Sequence, residues 1–297
     1  METILNEINT TLSNSENLCE YDFLVQLEKM LLLNGTEILL GELNMISGYA
    51  SRFIYDYSNP LIFNESIPFI KENLSHLLGI KITTLNLDSF DFNSYKLPFI
   101  IYPENLLIFA IDERGVSKYH RMFEEESDDI QALVKKNLMV INFESHLTLK
   151  RADIYKKNIF EELLVMIVSD FKKFAVSSYE DFAVDLRSEK KSFLGLSHLW
   201  LNKASYSQWT ALYGLRSYFL GQFHFAKRGQ QEVLRETISG IEDALLYWKE
   251  WGRSIGRESN FDNTNNTQFA SRLRAANAVD RARKSMESVV KKLESLL

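Results

Sequence analysis

The chain has one cysteine among 297 residues, so it cannot close an internal disulfide. No Cys/His cluster has the spacing of a zinc site either, and a metal-free, reducing, cytoplasmic setting is the expectation. Prolines number only four, and no low-complexity run exceeds the Asn/Thr patch "NFDNTNNTQ", which excludes a largely disordered chain. The longest apolar stretch, "LPFIIYPENLLIFAI", is broken by Pro103, Glu104 and Asn105. It falls short of the roughly 18 unbroken apolar residues of a membrane helix, so no membrane partner is expected. The opening "METILNEINTTLSNSEN" carries acids where a secretory leader carries bases, and no apolar segment follows. There is no GxGxxG, Walker A loop, G-x-S-x-G elbow or HExxH, which removes the common nucleotide-binding and hydrolase signatures.

What is present is apolar and unevenly charged. Hydrophobic residues make up 45% and aromatics 12% of the chain, enough for one large core or two moderate ones. Residues 1–150 carry 11 Lys+Arg against 22 Asp+Glu, a net of −11, and residues 151–297 carry 23 against 18, a net of +5, which together give the overall −6. The basic half can attract an acidic partner. Its charges alternate in sign along helical stretches, with no Lys/Arg run interleaved with aromatics, so nucleic acid is not the expected partner.

Periodicity changes at the same place as charge. In "NLCEYDFLVQLEKMLLLNG" the residues Phe23, Leu24, Leu27, Met30 and Leu31 recur at spacings of three and four, predicting a helix from Cys19 that Gly35 ends. A short helix over Thr36–Leu43, a turn at Ser47–Gly48 and a strand in "RFIYDY" are expected next. "PFIKENLSHLLG" reads as a helix opened by proline and closed by glycine. "IKITTLNL", "LPFIIY", "NLLIFAI", "NLMVINF" and "HLTLK" read as strands, and the acidic "EEESDD" as a solvated loop. After about residue 151 five helical stretches follow. In one of them Val233, Ile238, Ile241, Leu245 and Trp248 share a face. The boundary is therefore placed at 150, between an α/β module over 1–150 and a helical domain over 151–297.

Candidate chemistry centres on Cys19. At a helix N-terminus the macrodipole favours a thiolate, whereas Glu20 and Asp22 oppose it, and an inert buried cysteine is the other reading. His76, His198 and His224 lie in helical stretches and read as core-edge residues. His120 in "GVSKYHRMF" and His146 in "INFESHLTL" lie in the strand-rich half, from which a base for Cys19 would come, and each also reads as a surface histidine. The aromatic cluster of Trp200, Tyr206, Trp209, Tyr213, Tyr218, Phe219, Phe223 and Phe225 reads as bundle core, or in part as the lining of an acyl or substrate pocket.

The stretch from Cys19 through Gly35, "LLGELNMISGYASRFIYDY" with Gly48 and "FIY" at 53–55, the later "LPFIIYPENLL", "GL" at 195–196 and "YWKEWG" at 247–252 resemble the butirosin-biosynthesis protein H-like family. The resemblance implies an α+β fold, with a papain-like or C39-like cysteine-protease-type N-terminal module followed by an all-α helical domain. It implies acyl transfer in natural-product biosynthesis: Cys19 attacks a thioester, His120 serves as base and acid, and Asn142 orients the imidazole. It implies no bound cofactor. The donor would be a phosphopantetheine thioester on an acyl or peptidyl carrier protein, docked on the basic helical half at residues such as Arg216, Arg228 and Arg235, and the acceptor a small-molecule amine. A homodimer is compatible with this reading. The competing expectation is a non-catalytic binding or assembly protein that holds a partner or small molecule in its aromatic groove, and a third is an amide hydrolase or peptidase.

Overall fold

The structure, a computed structural model, describes residues 22–53, 55, 67–86, 97–102, 106–111, 116–121, 124–129, 139–143, 150–188, 190, 198–255 and 266–297. They fall into two compact units: the described parts of Met1–Leu43 and Lys71–Ile154 form one, and those of Asn44–Ile70 and Tyr155–Leu297 the other.

In the first unit, α1 (Asp22–Leu33) buries Phe23, Leu24, Leu27, Met30 and Leu31, together with Val25, Gln26 and Lys29, so it is enclosed around most of its circumference. Gly35 ends the segment with φ 81°, the left-handed position that a side chain resists. Its N–H bonds the Leu32 carbonyl at 2.9 Å, and the Thr36 N–H bonds that of Leu31 at 2.9 Å. A helix α2 (Leu40–Ile46) follows and continues into the second unit. α3 (Ile67–Leu78), with Pro68 in its first turn, ends at Gly79 with φ 66°.

Six strands, β1 (Ile82–Asn86), β2 (Phe99–Tyr102), β3 (Leu106–Ile111), β4 (Val116–Arg121), β5 (Glu124–Asp129) and β6 (Met139–Phe143), form one antiparallel sheet in the order β1-β6-β2-β3-β4-β5. Consecutive residues Leu107, Ile108 and Phe109 of β3 are all buried, as in a strand covered on both faces, and α1 packs on β2 and β3.

The second unit is helical. α4 (Lys157–Asp170) passes through a single π-type turn at Phe171–Ala175 into α5 (Val176–Arg187), and α6 (His198–Phe225), α7 (Arg228–Ile255) and α8 (Asn266–Glu294) complete it. α7 and α8 make the main seam; α7 buries Leu234, Ile241, Ala244, Trp248 and Trp251, and α8 buries Ala275, Ala276, Val279, Ala282 and Val289. Gly240 lets the two backbones approach, since a Cβ there would lie 2.7 Å from a Val289 methyl. Arg272 of α8 is fully buried and closes the end of α5, its guanidinium donating to the carbonyls of Asp185, Leu186 and Ser188 at 3.1, 3.1 and 2.8 Å. Phe53 sits in the same core against Tyr179 at 4.4 Å and Trp248 at 5.9 Å between ring centroids. Beside it Arg52 bonds the buried Asp170 at 3.2 Å and lies over the Phe174 ring.

This architecture corrects the expected α+β fold class with a papain-like or C39-like N-terminal module. The described residues are predominantly helical, and their strands form a single antiparallel sheet. The short motifs behind that expectation constrain a helix end and a glycine turn, and neither dictates how strands are ordered. Local readings shift as well. "EEESDD" is edge strand β5, paired with β4 from Val116↔Asp129 to Arg121↔Glu124, and carboxylates on an edge deter further pairing. Arg52, Phe53 and Tyr55 of "RFIYDY" are not in a strand, and the helix expected over 36–43 runs from Leu40 to Ile46. Of "HLTLK", only Lys150 is among the described residues. No helix among the described residues is long and apolar enough to cross a membrane.

Candidate functional site

Cys19 and His146 lie outside the described residues. His120 is on β4, opposite Leu107 of β3 and Glu125 of β5, and Asn142 is on β6, opposite Thr83 of β1. Strands β2 and β3 lie between β4 and β6. Three interstrand steps of about 4.8 Å put their backbones about 14 Å apart. His76 and His224 are exposed, not at a core edge. Among the described residues, no three His, Cys, Asp or Glu side chains gather as metal ligands.

One charged cluster sits in the first unit, at the start of α2. Glu42 accepts the Leu39 N–H at 2.9 Å through one oxygen and the Arg151 guanidinium at 2.6 Å through the other. Glu28 reaches across from α1 and accepts the Leu40 N–H at 2.6 Å. These carboxylates meet the unpaired amides of a helix start, a structural task. Burial pushes the Glu28 carboxyl up to about 7, against the lowering effects of the Leu40 N–H and Lys29, while Glu42 raises it further.

In the second unit a cavity of about 310 Å³ is lined by Tyr155, Lys157, Phe160, Glu161, Gln222, Phe225, Lys227, Gln230 and Leu296. From α6, Gln222 and Phe225 line it. Tyr218, Gly221, Gln222 and Phe225 recur at helical spacing, and Tyr155 lies flat along them, its ring centroid 5.4 Å from Tyr218 and 5.3 Å from Phe225 at interplanar angles of 19° and 16°. Gly221 makes that contact available, because a Cβ there would fall 2.3 Å from the Tyr155 hydroxyl oxygen. Phe225 ends the stack 60% exposed, whereas Tyr218 and Phe219 are buried core. Gln222 is 5% exposed, and its side-chain oxygen is enclosed, with no hydrogen-bond partner among the described residues. A buried, unpaired amide oxygen costs roughly 1–3 kcal/mol.

The aromatic cluster expected from the sequence therefore divides. Tyr218 and Phe219 are core, Phe225 lines the cavity, and Trp209 stacks on Tyr213 at 5.5 Å elsewhere on α6. Trp200 and Tyr206 are on α6, in a part whose side chains are not described. Tyr155 and Gln222 were not anticipated. A spacing signal did exist for Gln222, since it shares the face of Tyr218 and Phe225.

No family model, curated protein or solved structure matches this chain.

Proposed function

We propose that this chain is a binding protein whose helical unit holds a small molecule in the cavity between the start of α4, the end of α6 and the start of α7. The observation that carries the reading is the cavity itself, lined by the stacked rings of Tyr155 and Phe225, the latter exposed, together with Lys157, Lys227 and Gln230. Ligand sites combine an apolar surface with a few convergent polar groups in just this way, and about 310 Å³ lies at the lower end of their size range. The competing expectation, acyl transfer through Cys19, took its geometry from the papain-like or C39-like scaffold. With that scaffold corrected, a described cavity supports ligand binding instead.

The test is a ligand-dependent shift in melting temperature across a library of fragment-sized aromatic compounds, repeated with Gln222→Leu, Phe225→Ala and Cys19→Ala. Binding that the first two variants lose and Cys19→Ala retains is the expected outcome. Hits whose shifts survive both cavity variants would overturn it.

A further inference from the structure

The two glutamates at the start of α2 are unequally satisfied. Glu42 uses both carboxylate oxygens, one on the Leu39 N–H and the other on the Arg151 guanidinium. Glu28 uses one. Its Oε1 accepts the Leu40 N–H at 2.6 Å, whereas its Oε2 is enclosed and has no hydrogen-bond partner among the described residues. The Leu40 bond ties the middle of α1 to the first residue of α2, across the turn that Gly35 makes. The charged groups around Glu28 are Lys29 beside it on α1, Glu42 of α2, and Arg151, which pairs with Glu42. Strands β2 and β3, which pack on α1, carry no acidic or basic residue. Two effects compete when Glu28 ionises. A carboxylate accepts a backbone N–H more strongly than a neutral carboxyl does. Against this, Oε2 would hold charge in an enclosed place close to the Glu42 carboxylate, and a buried charge without its own partner is strongly disfavoured. The second effect is the larger: burial leads the causes that bring the Glu28 carboxyl up to about 7, and Lys29 and the Leu40 N–H offset only part of it. Solvating Oε2 requires the side chain to leave Leu40.

We propose that Glu28 is a pH-sensitive latch: as the neutral acid it fastens the start of α2 to α1, and as the carboxylate it swings to solvent and releases the Leu39–Leu40 turn. The release is local, because Phe23, Leu24, Leu27, Met30 and Leu31 hold α1 in the core whichever way Glu28 points. The latched form keeps the proton up to about pH 7, and the released side chain, in water, only to about 4.5. Latching is therefore complete below about pH 4.5. The released fraction grows about tenfold per pH unit between the two values and levels off above about 7. The segment it acts on is a connecting one, since α2 runs from the first compact unit into the second.

The test is amide hydrogen exchange of the full chain, read by NMR from about pH 5 to about pH 8 and corrected for the intrinsic dependence of exchange on pH. Protection of the Leu40 amide should fall about thirtyfold between pH 5 and 7 and stay level from there to pH 8. Dilute urea should leave it unchanged, because a local opening exposes little surface. Glu28→Gln keeps an acceptor for the Leu40 N–H and cannot ionise, so its protection should be the same across the range. Glu42→Gln removes the neighbouring charge and should make the fall smaller and end it at a lower pH. Leu40 protection that is flat from pH 5 to 7, or a fall that Glu28→Gln shares, would overturn the latch. So would a fall with the urea dependence of buried α1 amides such as Leu27, because the whole unit would then be opening.

Discussion

Two buried charges show what single side chains contribute here, with opposite signs. Arg272 is enclosed, and its planar fork satisfies three carbonyls at the end of α5. Arg272→Ala would leave those carbonyls unpaired and open a cavity, at a cost of roughly 3 kcal/mol. Arg272→Lys keeps the charge but cannot reproduce the fork and should recover only part of it. The readout is a fall in the urea midpoint at unchanged slope. Glu28 works against stability. Its folded carboxyl titrates at about 7 instead of near 4.5, so the folded state holds the proton more tightly than the unfolded chain does. Stability from this group is full below about pH 4.5 and is lost as pH rises through about 7. Glu28→Gln keeps an acceptor for the Leu40 N–H and removes the charge. Urea unfolding should find the variant equal to the wild type near pH 4.5 and more stable at pH 8, by on the order of 2 kcal/mol for a partly screened group. A variant less stable at pH 8 would show that the charged form serves the fold.

Among the elements, α6 has two roles, since one face of it is both core and cavity wall. Gly221 is where the two meet: Ala there would place its Cβ 2.3 Å from the Tyr155 hydroxyl oxygen, and the ring must move off the helix. Overpacking of this kind costs roughly 1–3 kcal/mol. The expected signature of Gly221→Ala is a lower melting temperature together with a changed near-ultraviolet circular dichroism spectrum and weakened ligand binding, since Tyr155 carries the stack. Gly240→Ala, against Val289 in the α7/α8 seam, provides the control: a loss of stability with the Tyr155 signal unchanged. Most of α6, from Tyr206 on, was legible from its 3.6-residue rhythm, as was the existence of an aromatic cluster, whereas 198–204 read as the end of a single stretch running from residue 178, which the structure divides between α5 and α6. The rhythm did not reveal which rings are buried, because that depends on Tyr155, contributed by a segment far away in sequence. Strand β5 was illegible for a related reason. Its run of carboxylates has poor intrinsic strand preference, and it is a strand because β4 offers a free edge with which it pairs in register.

At the scale of the molecule, charge and periodicity both change near residue 151, and that change could be read directly. The grouping of Asn44–Ile70 with the helices could not. "NMISGYASRFIY" mixes polar and aromatic residues with no sustained period, and the partners that explain it are more than 115 residues further on. Ser51 and Arg52 reach Asp170, and Tyr55 donates to Asp185 at 2.9 Å. Phe53 enters the cage of Tyr179, Phe182 and Trp248. Long-range partners of this sort leave no local trace, which is also why short motifs suggested the wrong scaffold. The helical unit is consequently not contained in a continuous piece of chain. A fragment of residues 155–297 would keep α4 to α8 but expose the aromatic cage and leave Asp170 without Arg52. It should melt well below the intact protein, with a shallower transition and increased binding of a hydrophobic dye, as expected when an apolar surface is uncovered. Phe53→Ala in the full chain should reproduce a large part of that loss, roughly 3–5 kcal/mol for truncating a buried phenylalanine. A fragment that melts as cooperatively as the whole would place Asn44–Tyr55 outside the unit's core, and Phe53→Ala would then cost no more than a surface substitution.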